Sequence, residues 1–419
     1  MNKNYSSPEL YYKRWLTPHL IDALNDASIL VLTGARQVGK STLLRREAPF
    51  CDFRFLNLDD LDTLQQAKAD PGSLFIGADR IVIDEVQRAP DLLLAVKQAV
   101  DQHPGRYKFV LSGSANLLLM KHVSESLAGR AIYFELNPMT LGESHQQPPP
   151  SLIKDLLAGI WPEAGRLAGP TPALPPLLLR GFMPALLTLD QPRAWTRWWD
   201  GYVTTYLERD LRQISQIDSL LDFRRLMILL ALRSGQILNQ SDLARDADLS
   251  QPTAHRYINL METSYLFKRL PPFTANRSLR LIKSPKVFWS DPGLATFLSG
   301  YYEETDLQDA REFGFLFETL IFHHLQVLSQ LLTPNARLFY LRMRTGQEVD
   351  FVVQHGRKIL PIEVKLTQKP GYDDAKHLRL FLEQYQHAEL GLLITNGREI
   401  KRLGRNVVAV PWTVVAGSL

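Results

Sequence analysis

Short apolar runs alternate with segments of helical character through the first part of the chain. The runs are rich in Ile, Val, Leu and Phe and are nearly continuous, a pattern typical of parallel strands that are covered on both faces. This pattern predicts an α/β domain with a parallel sheet over residues 1–145. The strands of this sheet are predicted at 29–34, 53–58, 80–85, 107–113 and 131–136.

Prolines interrupt this pattern after residue 145, in "QQPPP" and in "GPTPALPPLLLRGFMP". Because proline fixes φ and has no backbone N–H, we predict an irregular, partly extended connection over residues 146–190. Aromatic and apolar positions then recur at three-to-four spacing over residues 194–216, which predicts a helix. The two segments together are interpreted as a proline-rich connection and helical lid at 146–217.

Three helical patterns and two strand-like segments follow between residues 220 and 290. The first helix is predicted to end at Gly235, the second has a cap residue at its start, and Pro252 opens the third. The segments "LFKRLPPF" and "LRLIKSPKVFWS" are predicted to form a two-stranded wing. Three helices followed by a wing predict a winged-helix domain at 218–305.

The last segment of the chain begins with the apolar helical stretch "FGFLFETLIFHHLQVL". Strand patterns follow in "LFYLRM", "EVDFVV" and "KILPIEVKL", then a helix near 374–386 and a strand in "LGLLITN". Because strand side chains alternate between faces, Glu363 and Lys365 must point the same way, opposite to Ile362 and Val364. One predicted strand therefore presents a carboxylate and an ammonium side by side.

The chain of 419 residues is too long for one hydrophobic core, which agrees with several domains. It contains 48 Lys and Arg against 44 Asp and Glu, which gives a formal net charge of +4 and a sequence pI near 9.0. This mild excess permits contact with nucleic acid but does not argue for it. The lone cysteine, Cys51, excludes an intramolecular disulfide, and we expect its thiol to be buried.

No apolar run in the sequence reaches the length of a membrane span, because Arg, Lys or Pro interrupts each one. The first residues also lack the apolar region of a secretory signal. We therefore expect no membrane association and a cytoplasmic location.

The stretch "GARQVGKS" fits the phosphate-binding loop pattern G-x-x-x-x-G-K-S, between an apolar strand and a helical segment. Its glycines allow backbone N–H groups to close around phosphate oxygens, and the helix start adds its positive end. Lys40 is predicted to reach the β and γ phosphates of ATP, and the Ser41 hydroxyl to ligate Mg²⁺. The predicted ATP-binding residues are Gly34, Ala35, Arg36, Gln37, Val38, Gly39, Lys40, Ser41 and Thr42.

An acidic pair at the end of another predicted strand favours a nucleotide site over a plain glycine turn, which the loop pattern alone also fits. The strand "RIVIDE" ends in Asp84 and Glu85, and the carboxyl ends of parallel strands meet at one edge of a sheet. Asp84 is predicted to hold Mg²⁺ through water and Glu85 to polarise the attacking water. Ser112 or Ser114, at the end of a third strand, is predicted to orient that water.

ATP hydrolysis in sites of this kind often needs an arginine from a neighbouring element or subunit. Arg130, in "SESLAGR", and Arg209, in "YLERDL", are candidates for this arginine finger. Each also fits an ordinary ion-paired surface arginine, and both interpretations stay open. Because a finger from a second copy would require a ring or a dimer, a homo-oligomer is a candidate assembly.

Several stretches of the chain together resemble one family. In the first domain these are "TGARQVGKSTLL", "RIVIDEVQRAP", "FVLSGSANLLL" and "SLAGRAIYFELNPMTLGE". The similarity continues through "RGFMP", "YLERDL", "FWSDPGLATFL", "GFLFETLI" and "EVDFVV…PIEVK", and so covers nearly the whole chain. The chain resembles the bacterial and archaeal AAA-superfamily ATPases that carry a C-terminal domain of unknown function. This resemblance implies an N-terminal ATPase core and a tail with the PD-(D/E)xK nuclease fold, at 306–419.

Asp350 lies one short hairpin before the strand of Glu363 and Lys365, so these three side chains are predicted to meet. Two carboxylates make an oxygen-rich site suited to Mg²⁺ or Mn²⁺, and Lys365 can position water or stabilise charge on a phosphate. With Glu318 on the preceding helix, the set matches the PD-(D/E)xK pattern that the resemblance implies. The alternative is an internal Glu363–Lys365 ion pair in a fold that no longer cuts.

The third helix of the predicted winged helix carries side chains that can meet base edges or phosphates: Gln251, Thr253, His255, Arg256 and Asn259. The wing adds basic side chains suited to phosphates: Lys268, Arg269, Arg277, Arg280, Lys283 and Lys286. The alternative is a winged helix that serves only as a packing module near the nucleotide. DNA is therefore one candidate partner, and a second protein is another.

These inferences predict a P-loop AAA-type parallel sheet, a helical and winged-helix middle, and an α/β nuclease-like tail. The predicted function is Mg²⁺-dependent ATP binding and hydrolysis, with action on DNA, or binding to it, through the last two domains. The alternative is a nucleotide-dependent switch that binds another protein, with an inactive nuclease-like tail as its docking domain.

Overall fold

The structure is a computed structural model that describes residues 11–114, 127–168, 171–205, 217–274, 284–342 and 347–417. Its described residues divide into two compact units. The first unit takes in those of Met1–Gly34, Val38–Leu136 and Glu143–Pro148. The second unit takes in those of Ala35–Gln37, Asn137–Gly142 and Pro149–Leu419.

The first unit is built on a parallel sheet. Its described strands are β1 (Ile29–Thr33), β2 (Arg54–Asn57), β3 (Arg80–Asp84), β4 (Lys108–Ser112) and β5 (Ala131–Glu135). They lie in the order β2-β3-β4-β1-β5, and all the pairings between them are parallel. The accompanying helices are α1 (Thr17–Asp26), α2 (Lys40–Arg46), α3 (Leu61–Ala69) and α4 (Leu92–Gln102). The predicted α/β fold with a five-stranded parallel sheet is confirmed.

Burial on both faces explains the continuous apolar runs of this sheet. Every residue of β1 is buried, and so is every residue of β3 after Arg80. Ile83 and Leu111 pack with Val96 of α4 in one core, together with Phe109. Each fully buried aliphatic side chain contributes about 1.5–3 kcal/mol on either face of the sheet. Apolar residues are therefore favoured at every position, and these strands show no alternation of apolar and polar residues.

The segment from residue 137 to residue 205 is more regular than the sequence predicts. It contains α5 (Leu141–Ser144), α6 (Leu152–Leu157), β6 (Gly165–Arg166), α7 (Leu174–Arg180) and α8 (Pro192–Tyr202). The prolines are accommodated because α7 and α8 each have one in the first turn, where the missing N–H has no acceptor within the helix. The predicted irregular connection over 146–190 is therefore wrong in part. The predicted helix at 194–216 is described only as far as residue 205.

Three helices and a hairpin occupy the predicted winged-helix region. The helices are α9 (Leu220–Ala231), α10 (Gln240–Asp246) and α11 (Gln251–Thr263). Side chains of Ser219, Asn239 and Ser250 accept hydrogen bonds from the first-turn N–H groups and so fix where each helix begins. The antiparallel strands β7 (Phe267–Leu270) and β8 (Lys286–Trp289) follow. The predicted order of elements is present, and the winged-helix identification stays a prediction.

A mixed sheet dominates the rest of the second unit. Its further strands are β9 (Arg337–Arg342), β10 (Glu348–His355), β11 (Lys358–Lys365), β12 (Gly391–Thr395), β13 (Glu399–Arg402) and β14 (Val407–Pro411). They lie with β6 in the order β6-β13-β14-β12-β11-β10-β9. The helices are α12 (Pro292–Leu298), α13 (Glu304–Gln308), α14 (Phe313–Gln330), α15 (Lys376–Gln384) and α16 (Trp412–Val415). Strands β6, β13 and β14 have no counterpart in the sequence prediction.

Short 3₁₀ turns complete the described secondary structure, at Phe50–Asp52, Pro71–Phe75, Val86–Arg88, Pro184–Thr188 and Asp373–Ala375. Cys51 lies in the first of these turns and is exposed, so the expectation of a buried thiol is wrong. A surface turn before β2 leaves its thiol facing solvent. No helix among the described residues has the length and apolar character that crossing a bilayer requires.

Candidate functional site

The phosphate-loop pattern folds into a close turn between β1 and α2. Gly34 directly follows β1 with φ at 142°, and a Cβ there would lie 2.2 Å from the carbonyl oxygen of Leu136. Gly39 has φ at 97° just before α2 begins. L side chains rarely adopt either angle, and the space at Gly34 admits no side chain. This is the strand–turn–helix context that a phosphate-binding loop requires.

Lys40 places a buried ammonium on this loop. The residue is 6% exposed, and its Nζ donates a hydrogen bond to the carbonyl oxygen of Gly34 at 2.9 Å. A buried ammonium is stable only with polar or anionic partners, which phosphate oxygens supply. The other predicted loop residues differ in exposure: Ala35 and Val38 are buried, Arg36 and Ser41 half-buried, Gln37 and Thr42 exposed.

An ion pair that the sequence analysis did not find braces the same loop. The Arg14 guanidinium donates from Nη1 to the carbonyl oxygen of Val38 at 2.9 Å and from Nε to Glu143 Oε1 at 3.2 Å. Glu143 Oε1 also accepts from the backbone N–H of Trp15 at 2.8 Å. Both charged side chains are buried. No motif spacing joins residues so far apart in sequence, although Glu143 lies in a quoted stretch, "ELNPMTLGE".

The acidic pair lies at the carboxyl end of β3, beside the serine that ends β4. Asp84 ends β3 and is buried, and its Oδ1 accepts a hydrogen bond from the hydroxyl of Ser112, the last residue of β4. Glu85 follows with φ at 56°, an angle that is uncommon for a residue other than glycine. The Gln87 amide donates to Glu85 Oε2, and to Ser114 Oγ at 3.3 Å. Four of the predicted residues therefore lie at two neighbouring strand ends, in two hydrogen-bonded groups.

The environment of the site alters the titration of Glu85. Burial raises the pKa of its carboxyl, against the lowering effects of the Gln87 hydrogen bond and the Lys40 charge. The glycine turn at Gly34 and Gly39, the buried Lys40 ammonium and the buried Asp84 carboxylate fit a triphosphate with Mg²⁺.

The structure describes one of the two candidate arginine fingers, Arg130. The Arg130 guanidinium is bound to Asp101 by two hydrogen bonds, from Nε at 2.6 Å and from Nη2 at 3.0 Å. This pair is partly exposed, as the surface-arginine interpretation requires. Arg209 lies outside the described residues. The finger assignment of both residues stays a prediction.

The second unit brings the acidic residues of its sheet together with two lysines, a group that we call the acidic cluster: Glu318, Glu348, Asp350, Glu363, Lys286 and Lys365. Asp350 and Glu363 are 8% and 3% exposed. Asp350 Oδ2 accepts from the Val364 backbone N–H at 2.8 Å, as the β10–β11 hairpin was predicted to allow. Lys365 Nζ lies 2.9 Å from Glu363 Oε1, which is the ion pair of the alternative interpretation.

Two members of the acidic cluster were not assigned to it from the sequence. Glu348 lies two residues before Asp350 on β10, so the alternation of strand side chains could have found it. Lys286 was predicted to bind phosphate from the wing, which is wrong because the residue is 3% exposed and its ammonium faces carboxylates. Nothing in the local pattern around Lys286 points to partners on β10 and α14.

Burial and mutual repulsion dominate the titration of this cluster. Burial raises the pKa of Asp350 and of Glu318, and it raises the pKa of Glu363 to about 8 in spite of Lys365. Burial acts to lower the pKa of Lys286, but the attraction of Glu318, Asp350 and Glu348 outweighs it and the pKa is raised. The cluster therefore favours the charged form of its ammonium groups, while Glu318, Asp350 and Glu363 hold their protons more tightly than free carboxyls do.

Several polar side chains of α11 already have partners within the second unit. His255 is bonded to Gln240 at 2.9 Å and to Asn259 at 2.9 Å, and Arg256 is paired with Asp218. Gln251, His255 and Arg256 are exposed. In the wing, Arg269 Nη1 lies 2.9 Å from Glu262 Oε2. Three other basic residues of the predicted wing, Arg277, Arg280 and Lys283, lie outside the described residues.

The predicted metal at Asp350 and Glu363 stays a prediction. Among the described residues, no group of three or more His, Cys, Asp or Glu side chains has the arrangement to hold a metal ion.

The first unit has the sheet, loop and acidic strand end of a P-loop NTPase of AAA type. A family model described as "AAA domain" matches residues 26–145. Two further models, each described as a domain of unknown function (DUF8612 and DUF4143), match residues 171–305 and 313–415.

The chain is 32% identical over 406 residues to an uncharacterized protein of Mycobacterium tuberculosis, Rv2008c, and to one of Mycobacterium bovis, Mb2031c. Each match covers 96% of this chain and 84% of the relative. The chain therefore belongs to the same family as these two proteins.

Two solved structures show weaker likeness. A single-residue variant of Thermotoga maritima RuvB is 15% identical, with a TM-score of 0.29, over 64% of this chain and 94% of that one. The Bacillus subtilis DNA clamp loader delta protein (YqeN) is 12% identical, with a TM-score of 0.26, over 72% of this chain and 98% of that one. TM-scores this low support no argument about the present chain.

Proposed function

We propose that the first unit binds ATP with Mg²⁺ and hydrolyses it. One observation carries the proposal. The glycine turn with the buried Lys40 follows β1, and the acidic pair of Asp84 and Glu85 follows β3, at the carboxyl edge of one parallel sheet. Ligands of open α/β sheets bind at this edge. The AAA domain match over residues 26–145 supports the same assignment.

Each residue of the site has a proposed role. Backbone N–H groups of the loop from Gly34 to Thr42 enclose the phosphates, and the Lys40 ammonium leaves the Gly34 carbonyl to bind the β and γ phosphates. Ser41 and Asp84 would hold Mg²⁺, which when bound offsets the charge of the phosphates. Ser112 keeps the Asp84 carboxylate in place through its hydroxyl.

Glu85 is the proposed base for the attacking water. Its carboxyl is held by the Gln87 amide, and Gln87 also contacts Ser114, so the three side chains can position one water molecule. The raised pKa brings the basicity of Glu85 closer to that needed at neutral pH. An arginine finger from Arg130, from Arg209 or from a second copy of the chain would complete the charge stabilisation.

Three variants test the ATPase proposal. Lys40→Ala removes the ammonium and is expected to abolish ATP binding. Glu85→Gln keeps the size of the side chain and is expected to bind ATP with turnover lowered about 100-fold or more. Lys68→Ala, at an exposed lysine of α3, is the control and is expected to match the parent. ATP binding is measured by calorimetry and turnover by phosphate release; equal turnover in all four proteins would rule the proposal out.

The proposal for the second unit is that it binds DNA or acts on it. We place the boundaries of its parts at 146–217, 218–305 and 306–419, after a first domain at 1–145. The order of α9, α10, α11 and the β7–β8 hairpin supports a winged helix, with Gln251, His255 and Arg256 exposed on α11. The hairpin of β10 and β11 with Asp350, Glu363 and Lys365 supports a PD-(D/E)xK nuclease-like tail.

A second candidate function is a nucleotide-dependent switch that binds another protein through an inactive nuclease-like tail. The internal pairing of the acidic cluster favours it, because Lys286 and Lys365 both face the carboxylates that a nuclease would use for metal. A cleavage-competent site would present those carboxylates to Mg²⁺ instead.

A further inference from the structure

Lys286 enters the acidic cluster from a rigid position in the fold. Its backbone lies in β8, opposite Leu270 of β7, and forms a bridge with Ile237 on its other side. The neighbouring Val287 N–H donates to the Gln236 carbonyl oxygen at 3.0 Å. Strand β8 is therefore paired on both edges, so that the direction of the Lys286 side chain is fixed by the sheet and not by the cluster.

The ammonium of Lys286 lies among three carboxylates on two other elements. Its Nζ is 2.5 Å from Glu348 Oε1 and 4.0 Å from Asp350 Oδ1 on β10, and 3.7 Å from Glu318 Oε2 on α14. The Tyr340 ring lies on a further side, with its centroid 5.8 Å from Nζ. The lysine side chain is 4% exposed, so solvent contributes little to its stabilisation.

A divalent cation and this ammonium cannot share the same carboxylates. Mg²⁺, Mn²⁺ and Ca²⁺ need several oxygen ligands at about 2.0–2.6 Å, directed at one point. In the acidic cluster the point that Glu318, Glu348 and Asp350 have in common is the Lys286 ammonium. A second positive charge there would meet strong repulsion in a low-dielectric site. Of the two predicted metal ligands, Asp350 lies 4.0 Å from this ammonium and Glu363 is paired with Lys365. These residues therefore do not fit the metal that a nuclease-like fold implies.

We propose that Lys286 is a built-in counter-cation, which takes the place of a divalent metal ion and closes the acidic cluster to metal while β8 holds its present position. Glu318 Oε2 and Glu363 Oε2 are buried and have no hydrogen-bond partner among the described residues. Both oxygens are therefore available as metal ligands once the ammonium is removed. Removal of the ammonium would leave the four carboxylates of the cluster with Lys365 as its remaining lysine. Such a site gains stability from a divalent cation.

The proposal has a functional consequence for the second unit. Metal-dependent cleavage would require Lys286 to withdraw, and because the lysine belongs to β8, a movement of the β7–β8 hairpin is what would withdraw it. In the present position of the hairpin the nuclease-like tail is an ion-paired structural module. This inference rests on the proposed nuclease-like identity of the tail, although its Mn²⁺-binding test involves neither DNA nor nucleotide.

A titration with Mn²⁺ tests the proposal directly. The parent, Lys286→Met, Lys286→Arg and Lys268→Met proteins are titrated with Mn²⁺ in the absence of nucleotide, and free Mn²⁺ is followed by electron paramagnetic resonance. Lys286→Met is expected to gain one Mn²⁺ site that is about tenfold or more tighter than any site of the parent. Lys286→Arg keeps the charge, and Lys268→Met changes a lysine of β7 outside the cluster; both should match the parent.

The new site must also depend on the cluster. Asp350→Asn, added to Lys286→Met, is expected to abolish the gained Mn²⁺ binding. Lys286→Met is expected to unfold at a lower temperature than the parent, with Mn²⁺ restoring most of the loss. No gain of Mn²⁺ binding in a folded Lys286→Met protein would overturn the proposal.

If Lys286→Met does not fold, measurements on the parent protein can still overturn the proposal. Mn²⁺ without nucleotide is expected to leave its unfolding temperature unchanged. A rise with Mn²⁺ that disappears in Asp350→Asn would show metal in the parent cluster and overturn the proposal. DNA cleavage by the parent that is lost in Asp350→Asn would also overturn it, whereas Mn²⁺ binding by Lys286→Met without cleavage supports it and removes only the nuclease function.

Discussion

At the scale of single residues, Asp291 shows how a buried carboxylate joins two of the quoted motifs, "RGFMP" and "FWSDPGLATFL". Its two oxygens accept from the backbone N–H groups of Phe182, at 2.8 Å, and Gly293, at 2.7 Å. Gly181 has φ at 76°, and a Cβ there would lie 2.2 Å from Asp291 Oδ1. A Cβ at Gly293 would lie 2.6 Å from Gly181 Cα. The motif glycines are therefore explained by close packing around one carboxylate.

Asp291 gives a pH dependence whose sign is opposite to that of most carboxylates. Burial raises the pKa of Asp291 from 3.8 to about 6, although the backbone N–H groups oppose the rise. In the unfolded chain the carboxyl loses its proton at lower pH than in the folded protein. The contribution of Asp291 to stability is therefore expected to fall by about 3 kcal/mol as pH rises from about 4 to about 6, at roughly 1.4 kcal/mol per pKa unit.

Comparison with Asp291→Asn isolates this effect, because other titrating groups contribute equally to both proteins. The difference in unfolding free energy, parent minus variant, is expected to decrease between pH 4 and pH 6. Asp190→Asn, at an exposed aspartate of the same unit, serves as the control for a removed carboxyl charge. A parent-minus-variant difference that stays constant, or increases, over this pH range contradicts the assignment.

At the scale of elements, Arg14, before α1, joins the phosphate loop to Glu143 of α5. Arg14 connects the Val38 carbonyl oxygen to Glu143, and Glu143 also fixes the Trp15 N–H. Buried pairs of this kind contribute little when compared with apolar replacements, but loss of one partner leaves an uncompensated charge. The pair therefore controls the position of a loop carbonyl directly beside Gly39 and Lys40.

Glu143→Gln tests this brace with a side chain of the same size. We expect a loss of about 3 kcal/mol in the stability of the first unit, because the buried Arg14 keeps its charge and loses the Glu143 carboxylate. We also expect weaker ATP binding, because the Val38 carbonyl is no longer held in place. Thermal unfolding and calorimetric ATP titration measure the two effects. Asp79→Asn, which opens the exposed Arg106–Asp79 pair of the same unit, is the matched control and should change neither quantity appreciably.

If Glu143 only stabilises the fold, the two measurements on Glu143→Gln are expected to differ. Lower stability with unchanged ATP affinity at a temperature where the variant is folded would contradict the positioning role of the brace.

How much of the fold follows from the sequence depends on the kind of element. The sequence predicts the strands of the first unit and the hairpin of β10 and β11. Short runs of continuous or alternating apolar residues between turn residues are typical of strands. Strand β6 has only the two residues Gly165 and Arg166, too short for any period, and its partner β13 lies far along the chain. Its existence depends on tertiary pairing, which local pattern does not contain.

The same distinction applies to the candidate sites. The loop from Gly34 to Thr42 and the Asp84–Glu85 pair are local patterns and could be assigned from sequence. Lys286 was assigned to a phosphate surface as one of several basic residues in the predicted wing, whereas its actual partners lie on β10 and α14. Which charged residues are buried together depends on elements that are distant in sequence, and no single stretch of sequence predicts it.

At the scale of the whole molecule, the distribution of charge limits how strongly the second unit can bind DNA. The net charge is only +4, and Lys286 is buried against carboxylates and unavailable to phosphates. Arg256 on α11 remains exposed, although it is paired with Asp218. DNA binding by this surface would need that ion pair to open. Its affinity should then depend strongly on salt, because phosphate contacts release counterions.

Arg256→Ala and Arg106→Ala form a matched test of this surface, since each removes an arginine from an exposed pair with aspartate, one in each unit. Binding of a labelled DNA duplex is followed by fluorescence anisotropy over a salt series. If α11 contacts phosphates, Arg256→Ala is expected to weaken binding and to reduce the salt slope by about one, while Arg106→Ala leaves both unchanged. Absence of duplex binding by the parent at low salt, or equal effects of the two variants, would contradict a DNA-binding α11. The nucleotide-dependent protein switch would then be the better description of the second unit, because its docking role needs neither free phosphate-binding arginines nor a metal in the acidic cluster.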